Sequence, residues 1–294
     1  MDGKRKIKLV PDTDKAFVFK VVDAETGEEL SQEEVKALQP AGNNAAAEGP
    51  PAKGKTKSFA AEPLRICGEG DSWMSFLGLS LFFPKTFFDI LGETFETLSV
   101  GFPGHTFEEI LAAKQFKQTL DSGRFKVFIF SGGGNDFLGG GALVKMLKNK
   151  SDGHGSSNPS DYIKPDKLSA TLARLKKGYR GVAKQAKASR SDILMLTHGY
   201  DYAIPRKDGQ WLGTPLKAAG FAHNDPLSRK IIAFLVDRFN DMLAEIDAEF
   251  AHVRHVNVRQ TIKTKWHDEL HPTTEGARLV AKLFEKEVGR LLVS

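Results

Sequence analysis

Two apolar runs constrain the fold more than any other feature of this chain. They are Phe125-Lys126-Val127-Phe128-Ile129-Phe130 and Ile193-Leu194-Met195-Leu196. A strand with one wet face alternates apolar and polar residues, whereas a nearly continuous apolar run belongs to a strand covered on both faces. Three further strand-like segments, at 64–67, 95–100 and 253–258, join these two, the latter of which spans 192–197 in full. Between and after them the apolar residues recur with helical spacing at 84–92, 106–120, 166–188, 226–249 and 273–291. Strands alternating with helices predict a parallel sheet with right-handed crossovers, that is, an α/β/α three-layer sandwich built on five parallel strands. In such a sheet the functional groups gather beyond the carboxyl ends of the strands.

The loop after each strand is therefore the place to look for chemistry. The first strand leads into Gly70-Asp71-Ser72, the second into Gly101-Phe102-Pro103-Gly104-His105, and the third into Gly132-Gly133-Gly134-Asn135-Asp136. The fourth leads to His198-Gly199-Tyr200, and the fifth to a loop carrying Trp266-His267-Asp268-Glu269-Leu270-His271-Pro272. The five loops supply a hydroxyl, glycines that let backbone approach closely, a carboxamide, and an Asp/His pair three residues apart. A serine after a strand is by itself only a turn residue that caps the next helix. Partners at the neighbouring strand ends give it a chemical reading.

Four of these blocks, in this order, resemble the SGNH hydrolases, also called the GDSL-type esterase/lipase family, over roughly residues 64–291. The resemblance implies a flavodoxin-like fold and hydrolysis of a carboxylic ester through an acyl-enzyme, with a small-molecule ester as substrate and no metal or organic cofactor. It implies Ser72 as nucleophile, His271 as general acid/base and Asp268 as the residue that orients it. The backbone N–H groups of Ser72 and Gly104 and the side-chain amide of Asn135 would form the oxyanion hole. Two positions depart from the pattern: Trp73 stands where an aliphatic residue is usual, and Ser99 where the second block begins with Asn. An α/β-hydrolase elbow is excluded, because G-x-S-x-G would need glycine where Met74 stands. Trp73, His198 and Tyr200 are the residues expected to face substrate, and the loop 205–215 with Trp211 is a further candidate wall. Asp136 is expected to orient its loop. Within this resemblance a deacylase of acylated carbohydrates or phospholipids, and a catalytically silent binding module, remain as alternatives to a simple esterase.

The preface to this domain is different in kind. Residues 4–22 alternate around a turn-rich tetrapeptide, which predicts a β-hairpin, and Ser31-Gln32-Glu33-Glu34 reads as a capping box opening a short helix to Leu38. Residues 39–62, rich in Ala, Gly, Pro and Asn, read as a flexible linker. The expected organisation is a small N-terminal extension at 1–38, the linker at 39–62, and the hydrolase-like domain at 63–294. With 42 Lys+Arg interspersed among 37 Asp+Glu, the charges read as solvated helix faces, which argues against a nucleic-acid partner. The single cysteine, Cys67, excludes an intramolecular disulfide and a Cys-based zinc site within one chain. No apolar run approaches the roughly 18 residues of a membrane span, and no secretory signal opens the sequence, so a cytoplasmic location without stable membrane insertion is expected.

Overall fold

The structure, a computed structural model, describes residues 7–11, 19–23, 25–31, 34, 64–76, 83–139, 141–207 and 209–291. Strands β1 (Ile7–Pro11) and β2 (Phe19–Asp23) pair antiparallel as the predicted hairpin. The capping box also forms. The Ser31 hydroxyl accepts from the Glu34 N–H at 3.2 Å, and the Glu34 carboxylate accepts from the Ser31 N–H at 2.9 Å. Most of the predicted short helix and the linker at 39–62 lie outside the described residues.

The main sheet consists of β3 (Arg65–Gly70), β4 (Glu96–Ser99), β5 (Val127–Ser131), β6 (Leu194–Thr197) and β7 (Val253–His255). All neighbours pair parallel, in the order β4-β3-β5-β6-β7. Numbered within the sheet this is 2-1-3-4-5, the flavodoxin-like order, whose direction reverses between β3 and β5. Crossovers leaving these two strands run to opposite sides, so a crevice opens above their carboxyl ends. Ser72 and Asn135 stand just beyond those ends.

Helices cover both faces. On one, α1 (Phe87–Leu91) packs against α9 (Thr274–Leu291), with the rings of Phe87 and Phe284 stacked at 4.6 Å. On the other lie α2 (Phe107–Ala113), α3 (Gln115–Leu120), α6 (Pro165–Ser189) and α8 (Pro226–Glu249). There Phe128 and Phe130, two apart on β5 and hence on one face, meet Phe116, while Phe130 also meets Phe107 and Tyr179. Short helices α4 (Gly134–Phe137), α5 (Ala142–Met146) and α7 (Gly213–Ala218) complete the main domain. The segment predicted as one helix at 106–120 is broken, because Lys114 adopts a left-handed φ of 53° between α2 and α3. Helix α2 opens on a capping box, in which Thr106 and Glu109 satisfy each other's backbone N–H. Cys67 is fully buried in β3.

One glycine sets the geometry of the crevice. A Cβ on Gly70 would lie 2.0 Å from the Ser131 carbonyl oxygen, so only glycine lets the end of β3 press against β5. The Asp71 N–H then donates to that same oxygen at 2.9 Å, and the chain turns.

Candidate active site

Ser72 lies in the tight turn after β3, held by the Met74 N–H donating to the Asp71 carbonyl at 3.0 Å. The Trp73 N–H donates to the Asp71 carboxylate at 3.1 Å. The hydroxyl of Ser72 is 2.8 Å from Nε2 of His271. Nδ1 of His271 is 2.7 Å from Oδ2 of Asp268. The other oxygen of Asp268 accepts from the N–H groups of Leu270 and His271, both at 2.8 Å. One carboxylate thus folds the turn that carries the histidine and aims its ring. Burial alone would raise the Asp268 carboxyl, but the hydrogen bond and charge of His271, with the two N–H groups, outweigh it and hold it below the usual range. The neighbouring His267 enters this turn through its backbone, donating to the His271 carbonyl at 2.8 Å.

Asn135 is the second residue of α4, reached through Gly133 at a φ of 106°, a conformation open to glycine. Its side-chain amide donates to the His105 carbonyl at 3.0 Å, which ties it to the loop of Gly104 and leaves its second N–H for another acceptor. Gly104 has a φ of 83°. Among the described residues neither the Ser72 nor the Gly104 backbone N–H has an acceptor. Asp136 completes the link between the two loops: its carboxylate accepts from the Phe107 N–H and from Arg174, both at 2.7 Å. It orients a loop and a helix start. Ser99, where the family pattern has Asn, accepts weakly from the Gly101 N–H at 3.4 Å.

The substrate-facing expectations divide. Trp73 is nearly buried; its indole N–H donates to the Leu270 carbonyl at 2.9 Å, locking the Ser72 turn to the His271 loop, while part of the ring lines the cavity. Tyr200 also lines the cavity, at a strained φ of 66°. Its hydroxyl donates to the Asp71 carboxylate at 2.5 Å and accepts from the Gly134 N–H at 2.9 Å. His198 does not reach the cavity. It is fully buried behind Trp73, with ring centroids 5.1 Å apart, and packs against Phe87 and Phe284. Burial pushes its pKa down to about 3, so it is a neutral core residue. The strand ends at Thr197 as expected, but the next side chain turns under the sheet edge, against Trp73, Phe87 and Phe284, instead of into the crevice.

Sequence reasoning passed over two acidic residues. Asp71, given no role beyond its place beside Ser72, is a buried carboxylate bonded to Tyr200 and to the Trp73 N–H, and burial pushes its pKa up to about 6 against those bonds. Glu269, between the members of the Asp/His pair, is only 1% exposed. Its position inside the motif was the available signal, since a buried carboxylate there requires donors.

The cavity beside Ser72 and His271 measures about 30 Å³ and is walled mainly by apolar groups, among them Phe137, Leu138, Val236, Phe239 and Trp266. No protein-family model matches the chain, and no curated protein is significantly similar to it. Solved structures do align. An extracellular lipase from Streptomyces rimosus superposes with a TM-score of 0.50 at 16% identity, over 76% of this chain and 99% of that one. The chain has the fold of that lipase. A lipase from a goat rumen metagenome gives 0.49 at 16% identity, covering 76% and 96% of the two chains. A phospholipase A1 from Streptomyces albidoflavus gives 0.49 at 15%, covering 76% and 99%. Among the described residues no helix is long and apolar enough to cross a membrane.

Proposed function

We propose that this chain is a serine hydrolase of the SGNH type that cleaves carboxylic esters through an acyl-enzyme. The observation that carries the reading is the continuous chain from the Ser72 hydroxyl through His271 to Asp268, at 2.8 and 2.7 Å. His271 Nε2 takes the Ser72 proton as Oγ attacks the ester carbonyl, then hands it to the departing alcohol oxygen. Water, deprotonated by the same nitrogen, releases the acid and restores Ser72. Asp268 holds the Nδ1–H tautomer and balances the imidazolium that forms. The N–H groups of Ser72 and Gly104 and the second N–H of Asn135 receive the negative oxygen; losing one such donor costs on the order of 10²–10³ in rate. The fold shared with a lipase agrees with this chemistry.

The test is covalent. A fluorophosphonate is expected to add one phosphonyl group to the intact protein, on the tryptic peptide containing Ser72. Folded protein that stays unlabelled, while a known serine hydrolase in the same tube reacts, would overturn the reading.

The cavity supports a short acyl group. About 30 Å³ admits one or two water-sized groups, enough for a methyl or ethyl but not a fatty chain. With nitrophenol as the constant leaving group, kcat/KM is expected to be highest for acetate or propionate. Octanoate is expected to be at least tenfold poorer. A profile rising to octanoate would replace this proposal with a lipase-like one.

A further inference from the structure

Glu269 is buried between the two residues that orient and perform the proton transfer, and its carboxylate reaches across to another loop. Among the described residues it accepts four backbone N–H groups from a segment about sixty residues earlier in the chain. One oxygen takes Arg206 and Gly213, each at 2.8 Å; the other takes Trp211 and Leu212, each at 3.0 Å. A carboxylate has about four acceptor sites, so four such N–H groups suffice to satisfy it. The segment is shaped around it. A Cβ on Gly209 would stand 1.9 Å from the Glu269 carboxyl carbon, and one on Gly213 would strike the Arg206 carbonyl at 1.8 Å. The Arg206 guanidinium returns the contact, donating to the carbonyls of His267 and Trp266 at 2.9 and 3.0 Å. Arg206 and residues 211–213 are therefore tied at several points to the histidine's turn.

What this segment presents to the site is Trp211. Its half-buried ring stands edge-on to the His271 imidazole, with centroids 5.6 Å apart and planes at 85°. Trp211 is not part of the cavity wall beside Ser72. His271 must deliver its proton to the alcohol oxygen of the ester, so a ring against His271 and away from the acyl cavity borders the space of the departing alcohol. We infer that Glu269 is a positioning residue that fixes Trp211 as the alcohol-side wall, suited to esters whose alcohol offers a planar apolar face, such as aryl esters. The inference rests on the ester-hydrolase reading above.

Two acetates, one of a phenol and one of a simple alkyl alcohol, separate the roles. Trp211→Ala is expected to raise KM for the aryl ester about five- to tenfold, the range of one lost aromatic contact, while kcat for both esters stays within about twofold. Glu269→Gln offers fewer acceptors and turns N–H donors toward N–H donors, so the loop loosens; the same selective rise in KM is expected. In the double variant the two effects are expected not to add, because both act through the position of one ring. Should Glu269→Gln fail to fold, Glu269→Asp replaces it, keeping the charge on a shorter arm. Equal losses on both esters, an unchanged KM in Trp211→Ala, or additive effects in the double variant would each overturn the inference. If the wild type hydrolyses neither ester, the failure lies with the ester-hydrolase reading instead.

Discussion

Ser72→Ala is expected to lower kcat for a nitrophenyl acetate by about 10⁵–10⁶, the loss seen when the nucleophile of a serine triad is removed. The folded state is expected to survive nearly unchanged. The Ser72 side chain makes one hydrogen bond, to a histidine that stays partly solvated, so its removal costs at most about 1 kcal/mol of stability. Circular dichroism and the thermal midpoint are the controls, and residual turnover above about 1% would place the nucleophile elsewhere, a threshold far above what an oxyanion hole alone sustains. Alanine at 72 leaves the backbone N–H in place. The variant therefore also asks how much of the activity comes from the donors around the oxyanion.

The strength of that expectation comes from topology as much as from the triad distances. The reversal of strand order between β3 and β5 opens the crevice where Gly70 and Gly133 bring two backbones to the same edge. The groups around Ser72 are tied to one another across loops. Tyr200 bridges Asp71 and the Gly134 N–H, Asn135 bonds the His105 carbonyl, and Trp73 bonds the Leu270 carbonyl. Each tie joins residues from different strand ends, so the site is held by the sheet and not by any single loop. Geometry fixed in advance of substrate is what lets fixed dipoles stabilise charge that appears only in the transition state.

The sheet and its long helices were legible because their cause is local. Apolar runs such as Phe125–Phe130 report burial on both faces, and the helix at Pro226–Glu249 announces itself by Asp225 and Pro226 at its start. Strand order is not local, and nothing in the residues at 95–100 says that this strand lies on the outside of β3. At the site the legible residues were the polar ones beyond the strand ends, Ser72, Asn135, Asp268 and His271, which the fold brings together. His198 was misassigned because a correctly placed strand end does not say which way the next side chain turns, and this ring turns under the sheet edge onto Phe87 and Phe284. Glu269 and Asp71 escaped for a related reason. Their partners are the backbone N–H groups of Trp211, Leu212 and Gly213 and the hydroxyl of Tyr200, contacts between loops that only the fold brings together.

Asp268→Asn is expected to lower kcat by about 10⁴ with little change in KM, because it inverts the tautomer of His271 and leaves the site's shape alone. The amide oxygen can keep the N–H groups of Leu270 and His271, so the turn persists. The amide nitrogen then faces Nδ1 of His271, where the carboxylate oxygen stood at 2.7 Å. Two donors cannot share that contact, so the ring carries its proton on Nε2 and has no lone pair for the Ser72 hydroxyl. Asp268→Ala separates this from simple loss of a cap. It strands two N–H groups, which costs about 1–3 kcal/mol if they stay dry, and so lowers the thermal midpoint where Asp268→Asn does not. A loss below about tenfold in Asp268→Asn, with the midpoint unchanged, would mean that Ser72 and His271 suffice as a dyad. The carboxylate would then serve the turn, and the resemblance to a full triad would be one of form alone.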